Sequence, residues 1–112
     1  MKEKWSIEEA VALIEYYFVS HGDYKDNELN NIRSMLIRRA EALNIEYDDK
    51  FRNLSGLHMQ LGCIDYIVSN GKTGLKNVAK IFYEAYELYL KNKSKYYFIL
   101  SEFYNLYGHK SN

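Results

Sequence analysis

Side chains with the chemistry to contact nucleic acid are concentrated between residues 51 and 80. Arginine and lysine bind phosphate oxygens, whereas polar side chains such as asparagine and glutamine hydrogen-bond to base edges. The stretch FRNLSGLHMQ supplies one such group, namely Arg52, Asn53, Ser55, His58 and Gln60. A second group has the four-residue spacing of one helix edge and consists of Lys72, Lys76 and Lys80. Both groups are predicted nucleic-acid-binding residues, although an ordinary solvated lysine face also explains the second.

Side chains for catalysis or metal binding do not converge in this sequence. The single cysteine, Cys63, has no basic sequence neighbour that would favour the thiolate, so we expect it to be a small buried hydrophobe. The three histidines fall on different predicted elements, and no pair has the i, i+4 spacing of a helical metal site: His21, His58 and His109. We therefore expect no enzymatic activity, no catalytic residues, no metal site and no cofactor.

Three more arginines, Arg33, Arg38 and Arg39, lie on the predicted second helix but off its apolar stripe. Arginines in such a row can form a phosphate-contacting edge. They can equally pair with the acids of residues 41–49 as solvated ion pairs, which is the interpretation that we favour.

Tyrosine is concentrated in the second half of the chain, where seven of the 12 tyrosines fall between Tyr83 and Tyr107. This side chain combines apolar area with a polar tip, which suits interfaces. Tyr97, Tyr104 and Tyr107 share one stripe of the last predicted helix. They are the predicted partner-binding residues, for another protein or for a second copy in a homodimer. Closure of the core by this last helix is the simpler alternative.

Five helices are predicted to position all these side chains, and the fold class is all-α. The first helix is expected to turn Glu8, Glu9 and Glu15 towards water. No proline, repeat or Gly/Ser-rich linker divides the helices. Their predicted ranges are 7–20 after a capping box of Ser6 and Glu9, 27–43 after a cap at Asp26 or Asn27, 51–68, 75–91 and 94–108.

The third predicted helix is assigned to the centre of the fold. Asn53 stands in its N-cap position, and Leu57, Leu61 and Ile64 recur at helical spacing, so these three are expected to be almost wholly buried. Glycines at positions 56 and 62 cost about 1 kcal/mol each against alanine, which predicts the close approach of another backbone. A central core helix is favoured over a recognition helix.

Length and composition fit one helical domain over residues 1–112. The formal net charge is zero, which gives no global attraction to nucleic acid or to a membrane. Residues 1–49 nevertheless hold eleven acids against six bases, and residues 50–112 hold four acids against nine bases. The sequence has no signal-peptide core and no membrane-spanning run, and one cysteine excludes an internal disulfide. We therefore expect a cytoplasmic protein that does not bind membranes.

Several short motifs between Trp5 and Leu90 together resemble a known helical domain. They are Trp5-Ser6 with Glu8-Glu9, Arg52-Asn53 with Gly56, Met59 and Leu61, and then Gly71, Gly74-Leu75, Asn77, Lys80 and Phe82. The domain that they resemble precedes the nuclease domain in a group of HNH restriction endonucleases. More broadly, the pattern is similar to three-helix Myb-like DNA-binding units, which open with a tryptophan and acids and place the reading helix third.

The resemblance implies a bundle with a helix-turn-helix-like trihelical core that senses DNA or modified DNA. It would place the group from Arg52 to Gln60 at the start of the reading helix. Two features depart from the family: Gln60 replaces a basic residue, and the histidine-rich nuclease domain has no counterpart here.

Two classes of function are therefore expected. The first is a stand-alone nucleic-acid-binding module, which the resemblance places ahead. The second is a small protein-binding inhibitor or adaptor of phage or mobile-element origin, such as an anti-CRISPR or anti-restriction protein, that acts on a host defence nuclease. Zero net charge and the tyrosine-rich second half favour this second class.

Overall fold

The computed structural model describes residues 3–108 and places five α-helices there. No strand occurs within this part of the chain, so the prediction of an all-α fold with about five helices is confirmed. No helix among the described residues is long and apolar enough to cross a bilayer. In chain order the helices are α1 (Ile7–Ser20), α2 (Asp26–Ala42), α3 (Leu54–Val68), α4 (Lys80–Lys91) and α5 (Lys93–Tyr107).

Helix α1, rather than α3, occupies the centre of the bundle. It packs against α3, α4 and α5, and its six consecutive residues from Glu9 to Ile14 are all buried. Because a helix has 3.6 residues per turn, six consecutive buried positions mean that α1 is enclosed on every side. The predicted capping box of Ser6 and Glu9 is confirmed. The prediction that Glu9 faces water is wrong, since this residue is 0% exposed.

Helix α3 is a core helix that packs against α1, α2 and α4. Asn53 caps it as predicted, because its side-chain oxygen accepts a hydrogen bond from the backbone N–H of Gly56 at 2.8 Å. The predicted burial of Leu57, Leu61 and Ile64 is confirmed, with exposed fractions of 0%, 0% and 1%. The periodic apolar stripe therefore identified the buried face of α3 correctly.

Five residues, 21–25, connect α1 to α2, which packs against α3 and α5. The prediction of a cap at Asp26 or Asn27 is wrong, since Lys25 occupies the N-cap position and makes no side-chain cap. Residues 43–53 connect α2 to α3. A helix-turn-helix motif has a turn of three or four residues, so this longer connection does not form one.

Helix α4 begins at Lys80, five residues later than predicted, and residues 69–79 form an irregular segment that covers one side of α3. The backbone N–H of Leu75 donates to the carbonyl oxygen of Gly62 at 3.0 Å. The Leu75 side chain lies so close to Gly62 that a Cβ there would be 3.0 Å from its Cδ1. The predicted close approach of another backbone is therefore confirmed at Gly62. At Gly56 only the capping oxygen of Asn53 lies nearby.

Helix α5 packs against α1, α2 and α4 and closes the core. The predicted stripe is right at Tyr107 and wrong at Tyr97 and Tyr104, because the residues that the core buries are Tyr96, Leu100, Phe103 and Tyr107. Tyr97 and Tyr104 lie at 44% and 39% exposure instead.

Candidate binding surfaces

Arg52, the first candidate phosphate ligand, lies inside the fold. Its Nε donates to Glu9 Oε2 at 3.0 Å and its Nη2 donates to Glu9 Oε1 at 3.1 Å, so the two side chains form a bidentate pair. The Arg52 side chain is 7% exposed and that of Glu9 is 0% exposed. Such a pair fixes geometry because the planar guanidinium matches the carboxylate.

The remaining surface of the Arg52 guanidinium is also occupied. It donates to the carbonyl oxygens of Glu3 and Lys4, at 3.2 Å each, and it stacks on two rings, 4.2 Å from the Trp5 centroid and 4.6 Å from that of Phe51. Arg52 holds this position with a left-handed backbone, at φ 49°. All three side-chain nitrogens of Arg52 therefore donate hydrogen bonds inside the fold, which removes Arg52 from any exposed nucleic-acid surface.

The side chains of the three arginines of α2 also donate hydrogen bonds inside the fold. Arg33 donates to the carbonyl oxygens of Asp49 and Phe51 at 2.9 and 3.0 Å, and so holds the α2–α3 connection. Two further bonds join α2 to distant parts of the chain. Arg38 donates to the Tyr107 carbonyl oxygen at 2.6 Å, and Arg39 donates to Glu8 at 2.8 Å. The predicted pairing of these three arginines with the acidic side chains at 41–49 is therefore wrong. Together with Arg52, they connect separate segments of the described fold.

The start of α3 leaves only part of its predicted reading face open. Asn53 is occupied as the helix cap, whereas Ser55 is exposed. His58 is half-exposed, with its Nε2 3.8 Å from a carboxylate oxygen of Asp26 and its ring against Tyr24. The side-chain oxygen of Gln60 is buried and has no hydrogen-bond partner within residues 3–108. Ser55 and His58 are therefore the residues of this group that a large partner can reach.

The lysines of the second group are exposed, but they do not form a helical ridge. Lys72 and Lys76 lie on the irregular segment 69–79, and Lys80 is the first residue of α4. Asp65 of α3 anchors this segment by accepting a hydrogen bond from Thr73 Oγ1 at 2.6 Å. That bond, together with one from the Tyr17 hydroxyl, holds the pKa of Asp65 below its ordinary value. Within the described residues, the three lysines form no ion pair.

Tyr107, one of the three predicted partner-binding tyrosines, belongs to the core at 8% exposure. Tyr104 lines a cavity of about 210 Å³ between α1, α2 and α5, together with Glu15, Val19 and Glu28. Burial is the main cause that raises the pKa of Tyr104, and the Glu15 charge adds to it. Only Tyr97 and Tyr104 therefore remain as candidate contacts of this group.

Large apolar side chains cover the outer side of α5. We call four of them the α5 apolar surface and list them with their exposed fractions: Tyr97 (44%), Phe98 (65%), Tyr104 (39%) and Leu106 (64%). At about 100° per residue, these four side chains spread over the exposed half of α5, with Phe98 between Tyr97 and Leu106. Isolated exposed apolar residues are ordinary, but this much exposed apolar area on one helix is characteristic of an interaction surface. Sequence reasoning missed Leu106, and it assigned Tyr97 and Tyr104 to the stripe in place of the buried Tyr96 and Phe103.

A groove of about 460 Å³ lies between α4 and α5, close to their junction at Asn92. Its apolar lining comes from three helices, namely from Ile7 of α1, Leu88 of α4 and Ile99 of α5. Charged side chains from α4 and α5 form the rim: Glu84, Glu87, Lys91 and Lys95. An apolar floor with a polar rim is the usual composition of a protein-binding groove.

The motifs that resemble the HNH-associated domain mostly build this fold. Trp5 packs on Phe82, with ring centroids 5.3 Å apart, and on Arg52, which binds Glu9. Gly74 also approaches α3 so closely that a Cβ there would lie 2.4 Å from the Gly62 carbonyl oxygen. Compared with known proteins, the chain matches no family model, no curated protein and no solved structure.

Proposed function

We propose that the chain is a non-catalytic protein-binding module, an adaptor or inhibitor that engages a nucleic-acid-processing protein of the cytoplasm. The observation that carries this proposal is the α5 apolar surface, where Phe98 and Leu106 are each about two-thirds exposed. Aromatic and aliphatic side chains of this kind supply most of the binding energy at protein interfaces. A small inhibitor of phage or mobile-element origin, directed at a host defence nuclease, is a protein of this class.

The distribution of charge supports a protein partner over a nucleic acid. The net charge is zero, and all four arginines donate hydrogen bonds inside the described fold. Arginine is the residue that most often makes bidentate contacts to guanine and to phosphate. With its arginines committed, the chain has little means of reading base edges, whereas its exposed apolar side chains are free.

Affinity capture tests the protein-binding proposal. Immobilised wild-type chain, a Phe98→Glu/Leu106→Glu double variant and a Met59→Glu control are incubated with nuclease-treated lysate of cells that carry the protein. Met59 is 51% exposed but lies on α3, which packs against α1, α2 and α4 and carries no residue of the α5 apolar surface. A captured protein should bind the wild type and the control, and the double variant should lose roughly 30-fold or more in affinity by calorimetry. Equal capture by all three chains contradicts the proposal.

A nucleic-acid-binding module is the second candidate, and one specific observation favours it. Lys72, Lys76 and Lys80 are exposed and form no ion pair among the described residues, so their charges are free for phosphates. Ser55 and His58 are exposed at the start of α3, where the resemblance places the reading helix. Binding of this kind would be driven by phosphate contacts, and its sequence preference would come from Ser55 and His58.

The salt dependence of duplex binding tests this second candidate. Each phosphate contact contributes about −0.9 to the slope of log affinity against log salt for B-form DNA. Replacing Lys76 and Lys80 by alanine should therefore flatten the slope by about two units, whereas replacing His58 should alter base preference. Fluorescence anisotropy on duplexes with and without modified bases measures both effects, and Lys50→Ala is the matched control. No binding to any duplex at low salt excludes this candidate.

A further inference from the structure

We infer that the groove between α4 and α5 binds a second copy of this chain, so that two copies pack antiparallel across a twofold axis. This inference rests on the proposed protein-binding function, because it assigns an occupant to the groove beside the α5 apolar surface. The groove measures about 460 Å³, which is large enough to accept the side chains of a partner helix.

The apolar side chains that would fill the groove lie on the same surface as the groove itself. Ile99 lines the groove, and Leu106 follows it by seven residues, which is two helical turns, so the two point to the same side of α5. Phe98 stands next to Ile99 at 65% exposure. A surface that carries both the cavity and the side chains to fill it is self-complementary, as a twofold interface requires.

The charges along this surface are also self-complementary. Bases outnumber acids around the α4–α5 junction at Asn92, where Lys91, Lys93 and Lys95 stand against Glu87, whereas further acids stand on both helices away from it. Glu84 precedes Asn92 by eight residues and Glu102 follows it by ten, which at 1.5 Å per residue places them about 12 and about 15 Å from the junction. An antiparallel arrangement therefore sets the basic junction of one copy against the acidic ends of the other.

One of the junction bases is available for such an intermolecular pair. Lys91 already binds Glu87 at 3.0 Å, and Lys93 lies over the Tyr89 ring at 4.2 Å. Lys95, on the groove rim, has no acidic partner within the described part of the chain. Since the formal net charge of the chain is zero, two copies also meet without global repulsion.

Sedimentation equilibrium over a range of concentrations tests the inference with three chains. The wild type should show a reversible monomer–dimer equilibrium. Leu106→Glu should raise the dissociation constant of the dimer roughly tenfold or more, because a carboxylate would enter an apolar groove. Met59→Glu, which changes an exposed side chain on α3, should leave the dissociation constant unchanged. Because both substitutions replace exposed side chains, helicity by circular dichroism should be the same in all three chains.

Charge reversal supplies a second, independent test. Lys95→Glu should weaken the dimer, and combining it with Glu102→Lys should restore the wild-type dissociation constant. A wild-type chain that is monomeric at every concentration overturns the inference, as does a dimer that Leu106→Glu leaves intact. Capture of a different protein by a monomeric chain would overturn the homodimer alone and leave the protein-binding proposal standing.

Discussion

Replacing Arg52 by alanine is expected to lower the free energy of unfolding by about 3–5 kcal/mol. The Glu9 carboxylate, which is 0% exposed, would lose its bidentate partner and keep only the hydrogen bonds from Ser6 and the more distant Arg39 Nη1 at 3.7 Å. Breaking a buried ion pair by removing one partner is among the costliest defects in a fold. The substitution also frees the stacked faces of Trp5 and Phe51. A loss of this size is a large part of the total stability of a small domain, so the variant should be close to unfolded.

Three further variants separate the contributions to this loss in urea melts followed by circular dichroism. Arg52→Lys keeps the charge but not the planar fork, so it should recover only part of the stability. Glu9→Gln combined with Arg52→Met removes both charges and should cost less than Arg52→Ala alone. Lys50→Ala changes an exposed base of the same connection and should shift stability by less than about 0.5 kcal/mol. Equal midpoints for Lys50→Ala and Arg52→Ala would show that the buried pair contributes nothing.

Leu61→Ala is expected to destabilise the chain by about 2–5 kcal/mol, as cavity-forming substitutions do in a packed core. Leu61 is 0% exposed in α3, with Gly62 next to it held against Leu75. Because α3 is packed against three other helices, α1, α2 and α4, we expect little collapse around the cavity and a cost in the upper part of this range.

Met59→Ala is the matched control for this substitution. Met59 lies two residues earlier on α3 but is 51% exposed, so its replacement should change the stability by about 0.5 kcal/mol or less. Urea melts with an unchanged m-value would show that both variants affect stability and not compactness. A Leu61→Ala midpoint equal to that of Met59→Ala would mean that α3 does not pack as described.

Local patterns in the sequence predict most of the helices and their buried faces. Ser6 and Asn53 mark the starts of α1 and α3, and the leucine spacing of α3 identifies the buried face. Such features are predictable because caps and apolar periodicity act within one or two turns of the chain.

The central position of α1 was missed because the spacing of apolar residues identifies one buried face of a helix and does not show whether the other faces are also buried. The run AVALI that follows Glu9 has no polar position, and such a run is typical of a helix that is covered all round. In α5 the neighbouring tyrosines 96 and 97 both fit an apolar stripe, so only packing against α1 and α2 decides which one is buried.

The candidate site residues were harder to predict, because internal partners compete with external ones. Arg52 and Glu9 are 43 residues apart in sequence, and Arg38 and Tyr107 are 69 apart. Local spacing carries no information about such pairs, so a buried arginine and a phosphate-binding arginine look alike in sequence. The exposed lysines at 72, 76 and 80 were predictable, because long charged side chains without an apolar face rarely become buried.

The single thiol of the chain lies beneath the irregular segment that covers α3. Cys63 is 4% exposed, its sulfur is 3.5 Å from the carbonyl oxygen of Asn77, and burial raises the pKa of the thiol. A thiol-specific reagent can therefore react with Cys63 only after residues 69–79 have moved aside or after the whole domain has unfolded. The labelling rate in native buffer thus reports the opening of this segment, and its ratio to the global unfolding rate measures how independently the lysine-bearing segment moves.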